Sequence, residues 1–292
     1  MEKIIAFGKI SKGCKGCFSN NLVILRFDLG AGIGLPNICN MNCTNCFDKH
    51  LIAPKYNIPP EWAITDENKT GMIKYVKSET IGKNTRDVRY TFSGSSSEPL
   101  LYVEAIEKLL RFLRFELESK TKIEGYAKIY SNGTLLNDEL LENLASYKMN
   151  ELRINVSASN FSEKIYQKVK LATQYIPNVT IEVPMHPLWE EQLKNMIDRL
   201  DDLGVKHLDL CQLKVRTEYG LYSLRELAKI YKTDVAGNYI VFKTPELAER
   251  LIDHYNSTPR NCSLIYCNET VLRIQENTFV KNVFKHNLTF GD

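Results

Sequence analysis

The run Cys39-Asn-Met-Asn-Cys43-Thr-Asn-Cys46 sets three cysteines at C-x3-C-x2-C spacing. Three thiolates inside eight residues can wrap one face of an iron-sulfur cube and leave the fourth iron without a protein ligand, so that it is open to chemistry. Zinc competes for clustered cysteines, but a structural zinc site wants four ligands, usually as two separated pairs. No fourth cysteine completes this group, and only His50, four residues beyond Cys46, keeps zinc as the minor reading.

Outward from the triplet the chain alternates strand and helix. Strands are expected at Leu22 to Asp28, Asp87 to Ser93, Glu124 to Tyr130, Glu151 to Ser157, Val179 to Val183 and Val205 to Cys211, with helices near 67-79, 100-119, 136-147, 162-173 and 187-203. Six strands joined by helices predict an α/β fold with a parallel sheet, which right-handed crossovers curl into a partial TIM-like (βα)6 barrel. Period-2 alternation sets Leu152, Ile154 and Val156 against Arg153, Asn155 and Ser157, and Leu208 and Leu210 against His207, Asp209 and Cys211. Helices on every connection take the apolar faces, so the polar faces look into the barrel; the other reading is an open sheet with half-solvated faces. The expected division is an N-terminal cysteine segment at 1-20, the barrel at 21-212 and a small α+β cap at 213-292. That cap carries a helix near 222-231, a strand at Tyr239 to Phe242, a helix from Pro245 to Tyr255 and a last strand at Val271 to Ile274.

Composition fits a catalytic domain with a sizeable core: 292 residues, 43% hydrophobic and 25% charged. Net charge is only +3, from 38 basic and 35 acidic side chains scattered along the chain, which gives no electrostatic case for nucleic acid. No apolar run reaches membrane-spanning length and the start is too soon charged for a signal peptide, so a cytoplasmic location is expected. In that setting the tight spacings among eight cysteines read as metal binding rather than as four disulfides.

The triplet after the first barrel strand resembles the signature of the radical S-adenosylmethionine (SAM) superfamily. Thr91-Phe-Ser-Gly-Ser-Ser-Ser-Glu98-Pro99 looks like that family's Gly-Gly-Glu-Pro segment, with Ser96 and Ser97 where paired glycines usually stand. Tyr130-Ser-Asn132-Gly-Thr134 looks like its strand-end Asn-Gly turn, and Asn155 and Ser157 match polar positions near the ribose. Asn45 stands where many members carry an aromatic beside the adenine, leaving Phe47 as the substitute ring. The resemblance implies a partial (βα)6 barrel holding a 4Fe-4S cluster on Cys39, Cys43 and Cys46, with SAM chelating the open iron. It further implies reductive cleavage to a 5′-deoxyadenosyl radical, hydrogen abstraction from a substrate, and an electron donor of the flavodoxin or ferredoxin type. Glu98 would orient the methionine end, with Ser96, Ser97, Asn132, Asn155 and Ser157 as further SAM contacts.

Cys14 and Cys17 form C-x2-C, while Cys262 and Cys267 form C-x4-C near the other end of the chain. Two separated pairs make four ligands, for a second 4Fe-4S cluster or a structural zinc. Cys17 lies on the entry side of the first strand and the triplet on its exit side, ~20 Å away for a strand of about seven residues, which suits a structural clip or an electron relay. Cys211, at the lumen-facing end of the last expected barrel strand and without a local partner, is the candidate catalytic residue, a hydrogen-atom donor; packing is its bland alternative. The chain also looks like a group with a Lys-Gly-Cys-x-x-Cys start that is likened to pyruvate formate-lyase activases. A peptide or protein substrate, matured by epimerisation or cross-linking, is the first reading. A glycyl-radical enzyme activase is the second, and a non-catalytic, metal-stabilised interaction protein the third.

Overall fold

A computed structural model describes residues 5–7, 22–30, 33, 35–43, 46, 62–81, 87–94, 97–216, 221–236 and 239–267. Strands β2 (Leu22–Asp28), β3 (Asp87–Ser93), β4 (Gly125–Ser131), β5 (Glu151–Ile154), β6 (Asn178–Met185) and β7 (His207–Gln212) pair in parallel and in chain order. The expected strand order therefore holds. β5 is shorter than expected because Asn155 ends it: its side-chain oxygen accepts from the Ser157 N–H and caps a short helical turn at Val156–Ser159.

Helix α1 (Asp66–Thr80) begins on a Thr65 cap whose hydroxyl accepts from the Asn68 N–H, satisfying one of the free amides of the first turn. Helix α2 (Val103–Arg111) runs through a π-helical stretch, Phe112–Leu117, into α3 (Glu118–Thr121). Then follow α4 (Asp138–Ser146), α5 (Glu163–Tyr175), α6 (Glu190–Asp198) and α7 (Leu200–Leu203), the last two parted at Arg199. These helices cover the outer face of the sheet. Ala127, Ile129, Leu152, Ile154, Val179, Ile181, Val183, Leu208 and Leu210 lie in one buried core with helix residues such as Leu109, Val169 and Met196.

Pairing does not stop at β7. After α8 (Leu221–Ile230) and α9 (Pro245–Asn256), strand β11 (Ser263–Cys267) joins the sheet parallel to β7, and β1 (Ile5–Phe7) lies antiparallel on β11. The sheet thus has seven parallel strands and one antiparallel edge strand. It does not close into a barrel among the described residues. The region expected as a cap from residue 213 divides accordingly. A separate three-stranded antiparallel sheet is built from β8 (Lys214–Arg216), β9 (Thr233–Ala236) and β10 (Tyr239–Phe242), whereas α9 and β11 extend the main sheet. β11 has no expected counterpart, because the cysteine spacing of Ser263-Leu-Ile-Tyr-Cys267 is a stronger sequence signal than its short apolar run. The expected strand at Val271 to Ile274 lies outside the described residues.

The polar faces do look inward, and they are filled by charge rather than left as half-solvated sheet. Arg153 on β5 bonds Glu151 (2.9 Å), Glu182 on β6 (2.6 Å) and Asp209 on β7 (3.1 Å), and is only 3% exposed. Glu151 also accepts from the Thr180 hydroxyl (2.8 Å) and the Tyr126 phenol (3.0 Å). Burial alone would raise its pKa, but Arg153 and Lys128 outweigh that and hold it below the usual carboxylate range. On the outer surface Arg250 of α9 clamps Glu190 of α6 through two bonds, 2.8 and 2.7 Å, with Lys194 at 2.9 Å.

Two outcomes follow. Arg153→Met strands three inward carboxylates without their shared cation, and should cost about 3–5 kcal/mol in chemical denaturation, as loss of one partner of a buried ion pair does. Hydrogen bonds from Arg250 and Lys194 depress the Glu190 pKa from an ordinary 4.5 to about 2. A depressed carboxylate stabilises the fold above its unfolded pKa and ceases to do so as pH falls through the folded one. The stability difference between wild type and Glu190→Gln should therefore shrink between about pH 4.5 and pH 2.

Candidate functional site

The cysteine loop begins where β2 ends. Gly30 has φ +110, and a Cβ there would lie 2.4 Å from Asn37 Oδ1 and 2.5 Å from Ser97 Oγ, so only glycine makes this turn. The returning chain is held by the Tyr102 hydroxyl, which donates to the Pro36 carbonyl (2.6 Å) and accepts from the Ile38 N–H (2.9 Å). The Glu98 N–H donates to the Ile38 carbonyl (2.9 Å). One residue past Cys39, Asn40 accepts from Asn132 Nδ2 (2.9 Å) and donates to Thr134 Oγ1 (2.7 Å). Cys43 Sγ lies 3.8 Å from the Ala158 carbonyl. The loop is thereby pinned across the C-terminal ends of β3, β4 and β5, the end at which parallel barrels carry their chemistry.

Cys39, Cys43 and Cys46 are each half-buried. Burial raises the Cys39 pKa, the Met41 N–H lowers it, and Glu98 and Cys46 raise it again. A metal ion bound there would deprotonate the thiol outright. Three thiols from one loop, with polar strand ends beside them, are a donor set that fits a cluster with one open iron.

Glu98 braces this rim. One carboxylate oxygen accepts from the Ser131 hydroxyl (2.6 Å) and the Leu100 N–H (3.1 Å), the other from the Asn132 N–H (2.8 Å). Burial raises its pKa against these three bonds. A carboxylate has about four acceptor positions, and Glu98 uses three of them here, tying the loop before the Pro99–Tyr102 turn to the end of β4.

Asn132 Oδ1 accepts from the Thr134 N–H (2.9 Å) and hydroxyl (2.6 Å), and Asn155 Oδ1 from the Ser157 hydroxyl (2.6 Å). Ser97 Oγ donates to Asn37 Oδ1 (3.2 Å). Ser97, Glu98 and Asn132 thus share one rim with Cys39, and Asn155 and Ser157 sit at the next strand end, just before Ala158. Ser96 and Phe47 lie outside the described residues, as do Cys14 and Cys17. Sequence reading missed Asn37, Asn40 and Tyr102. For the first two, the available signal was asparagine flanking the first cysteine.

The second cysteine constellation comes apart. Cys262 immediately precedes β11 and Cys267 ends it, so five extended steps hold them ~16 Å apart, too far to share one ion. Cys262 is buried beside the Tyr255 phenol, which donates to its carbonyl, and burial pushes its thiol up to about 12. Cys267 is instead the register partner of Cys211 on β7. Cys211 therefore has local partners where none was expected: Cys267, and Asp209 Oδ1 at 3.7 Å. The Cys267 hydrogen bond lowers the Cys211 pKa, but burial and the Asp209 and Glu182 carboxylates push it up to about 12. Burial and Glu182 raise Asp209 to about 6 despite Arg153.

No family model matches the chain. A Methanocaldococcus jannaschii protein named as a candidate glycyl-radical enzyme activating enzyme is 22% identical over 239 residues, covering 79% of this chain and 57% of its own length. An uncharacterized protein of the same organism is 21% identical over 213 residues, covering 69% and 64% respectively. The chain thus spans roughly three fifths of each curated relative it matches. Native anSMEcpe with bound AdoMet and the Cp18Cys peptide superposes with a TM-score of 0.54 at 18% identity, over 81% of this chain and 59% of that one. Streptococcus suis SuiB bound to precursor peptide SuiA gives 0.53 at 15%, over 85% and 49%. These likenesses establish the fold. The fold, with the cysteine loop and strand-end turns at one end of its sheet, agrees with the radical SAM resemblance seen in the sequence.

Proposed function

We propose that the chain is a radical SAM enzyme that abstracts hydrogen from a peptide or protein. The observation that carries this is the Cys39 loop, held by Asn40, Glu98 and Tyr102 across the strand ends. When bound there, a 4Fe-4S cluster with SAM would supply a 5′-deoxyadenosyl radical, given one electron from a flavodoxin or ferredoxin type donor. Cys39, Cys43 and Cys46 would hold the cluster. Asn132, Ser97, Asn155 and Ser157 offer polar atoms along the rim, and the remaining acceptor position of Glu98 suits an ammonium group. The buried Arg153 network keeps the inner floor rigid and charged, which favours a polar substrate over a lipid. Support for a peptide comes from the neighbours whose structures hold the Cp18Cys and SuiA peptides.

A second reading, activation of a glycyl-radical enzyme, has in its favour the printed name of the Methanocaldococcus relative. Both are iron-sulfur oxidoreductase chemistry on a polypeptide. Neither involves a membrane span: no described helix is long and apolar enough to cross a bilayer.

Changing Cys39, Cys43 and Cys46 together to Ala should abolish 5′-deoxyadenosine formation by anaerobically reconstituted protein with dithionite. Retained cleavage in that variant would overturn the assignment of the cluster to this loop, whereas no cleavage by the reconstituted wild-type protein would leave the metal-stabilised interaction protein as the better account. Asn40→Ala should lower SAM cleavage ~10-fold, about 1.4 kcal/mol of barrier. Asn40 is exposed, so its melting temperature should stay close to wild type, which separates positioning from folding.

A further inference from the structure

Among the described residues, one group of three metal-ligating side chains converges: Asp209, Cys211 and Cys267 offer ligand atoms that all lie within 4.8 Å of one another. The fold forces this meeting. Cys267 and Cys211 are register partners on adjacent parallel strands, so their side chains leave the sheet on the same face. Asp209 is two residues back on β7 and shares that face.

The spacing distinguishes a single ion from a cluster. Ligands on one tetrahedral zinc, at ~2.3 Å for sulfur and ~2.0 Å for oxygen, stand ~3.5 Å apart; Cys211 Sγ and Asp209 Oδ1 are 3.7 Å apart. Ligands to separate irons of a cube stand wider than this group does. Asp209 is also pre-oriented, because its other oxygen, Oδ2, accepts from Arg153 at 3.1 Å and leaves Oδ1 turned toward the thiols. A ligating carboxylate fixed by a second partner is the usual arrangement around a bound metal.

We propose that Asp209, Cys211 and Cys267 bind one zinc ion, with the fourth coordination position left for a substrate donor atom or water. Two thiolates and a carboxylate suit zinc among the common divalent ions, and three protein ligands with an open position are the pattern of sites that engage substrate rather than of structural ones. The metal displaces both thiol protons, so the zinc-loaded Cys211 is a thiolate with no hydrogen atom to donate. This assignment replaces the hydrogen-donor expectation, and it stands or falls independently of SAM cleavage.

The test uses the full chain carrying Cys39→Ala, Cys43→Ala and Cys46→Ala, purified anaerobically and equilibrated with zinc or cobalt(II). Cys211→Ser and Cys267→Ser in that background should each bind one zinc fewer per chain after gel filtration, and should lose thiolate-to-cobalt absorption. Cys262→Ser should lose neither. Asp209→Asn should weaken zinc binding at least 10-fold while leaving both thiols in place, which guards against a result that reflects misfolding of a cysteine variant. Equal zinc in the Cys211→Ser and Cys267→Ser proteins would overturn the proposal. So would zinc lost with Cys262→Ser, or four irons with sulfide held by these residues. A Cys211–Cys267 disulfide that persists in zinc under anaerobic conditions would equally overturn it.

Discussion

The buried Arg153 guanidinium constrains the interior. Arg153 leaves β5 and meets carboxylates on its own strand, on β6 and on β7, so three neighbouring strands share one cation where a barrel core would otherwise be aliphatic. Such a cluster adds little net stability over a well-packed apolar core, since desolvation consumes most of the attraction. What it does fix is register. A slip of one residue between β5 and β7 would turn Asp209 out of the lumen and bring Leu210 in, leaving both the charge and the apolar helix face without partners.

The same logic explains why the main sheet was legible in sequence. Strands with helices on one face and a polar interior on the other alternate strictly, and Glu151-Leu-Arg-Ile or His207-Leu-Asp-Leu-Cys can be read in only one way. The cysteine triplet was legible because its spacing is short-range. What was hidden was long-range. Ser263-Leu-Ile-Tyr-Cys267 alternates too weakly to declare itself a strand, so Cys267 was grouped by spacing with Cys262 rather than with Cys211, its neighbour across the sheet. Likewise the rim bonds of Asn40 with Asn132 and Thr134 join residues far apart in the chain, and an asparagine beside the first cysteine does not say which residues it will meet.

The two thiol sites occupy different parts of one sheet. The triplet loop spans the ends of β3, β4 and β5, whereas Cys211 and Cys267 lie at the ends of β7 and β11, with β6 between the two groups. The charged floor of Arg153, Glu182 and Asp209 reaches from the β5 strand to the second group, so both thiol groups border one buried ion network.

The edge of the sheet carries a consequence for assembly. β1 and β11 are the first and last described strands, separated by almost the whole described chain, yet they pair with each other, and β11 alone covers the flank of β7. During synthesis the six-stranded run from β2 to β7 can therefore condense well before its final neighbours arrive, with the backbone edge of β7 unpaired and Cys211 lacking its companion thiol. Closing so long a loop is entropically slow relative to the local βα units. The Cys211–Cys267 pair therefore exists only once β11 has docked on β7, and nothing in the run from β2 to β7 can assemble it earlier.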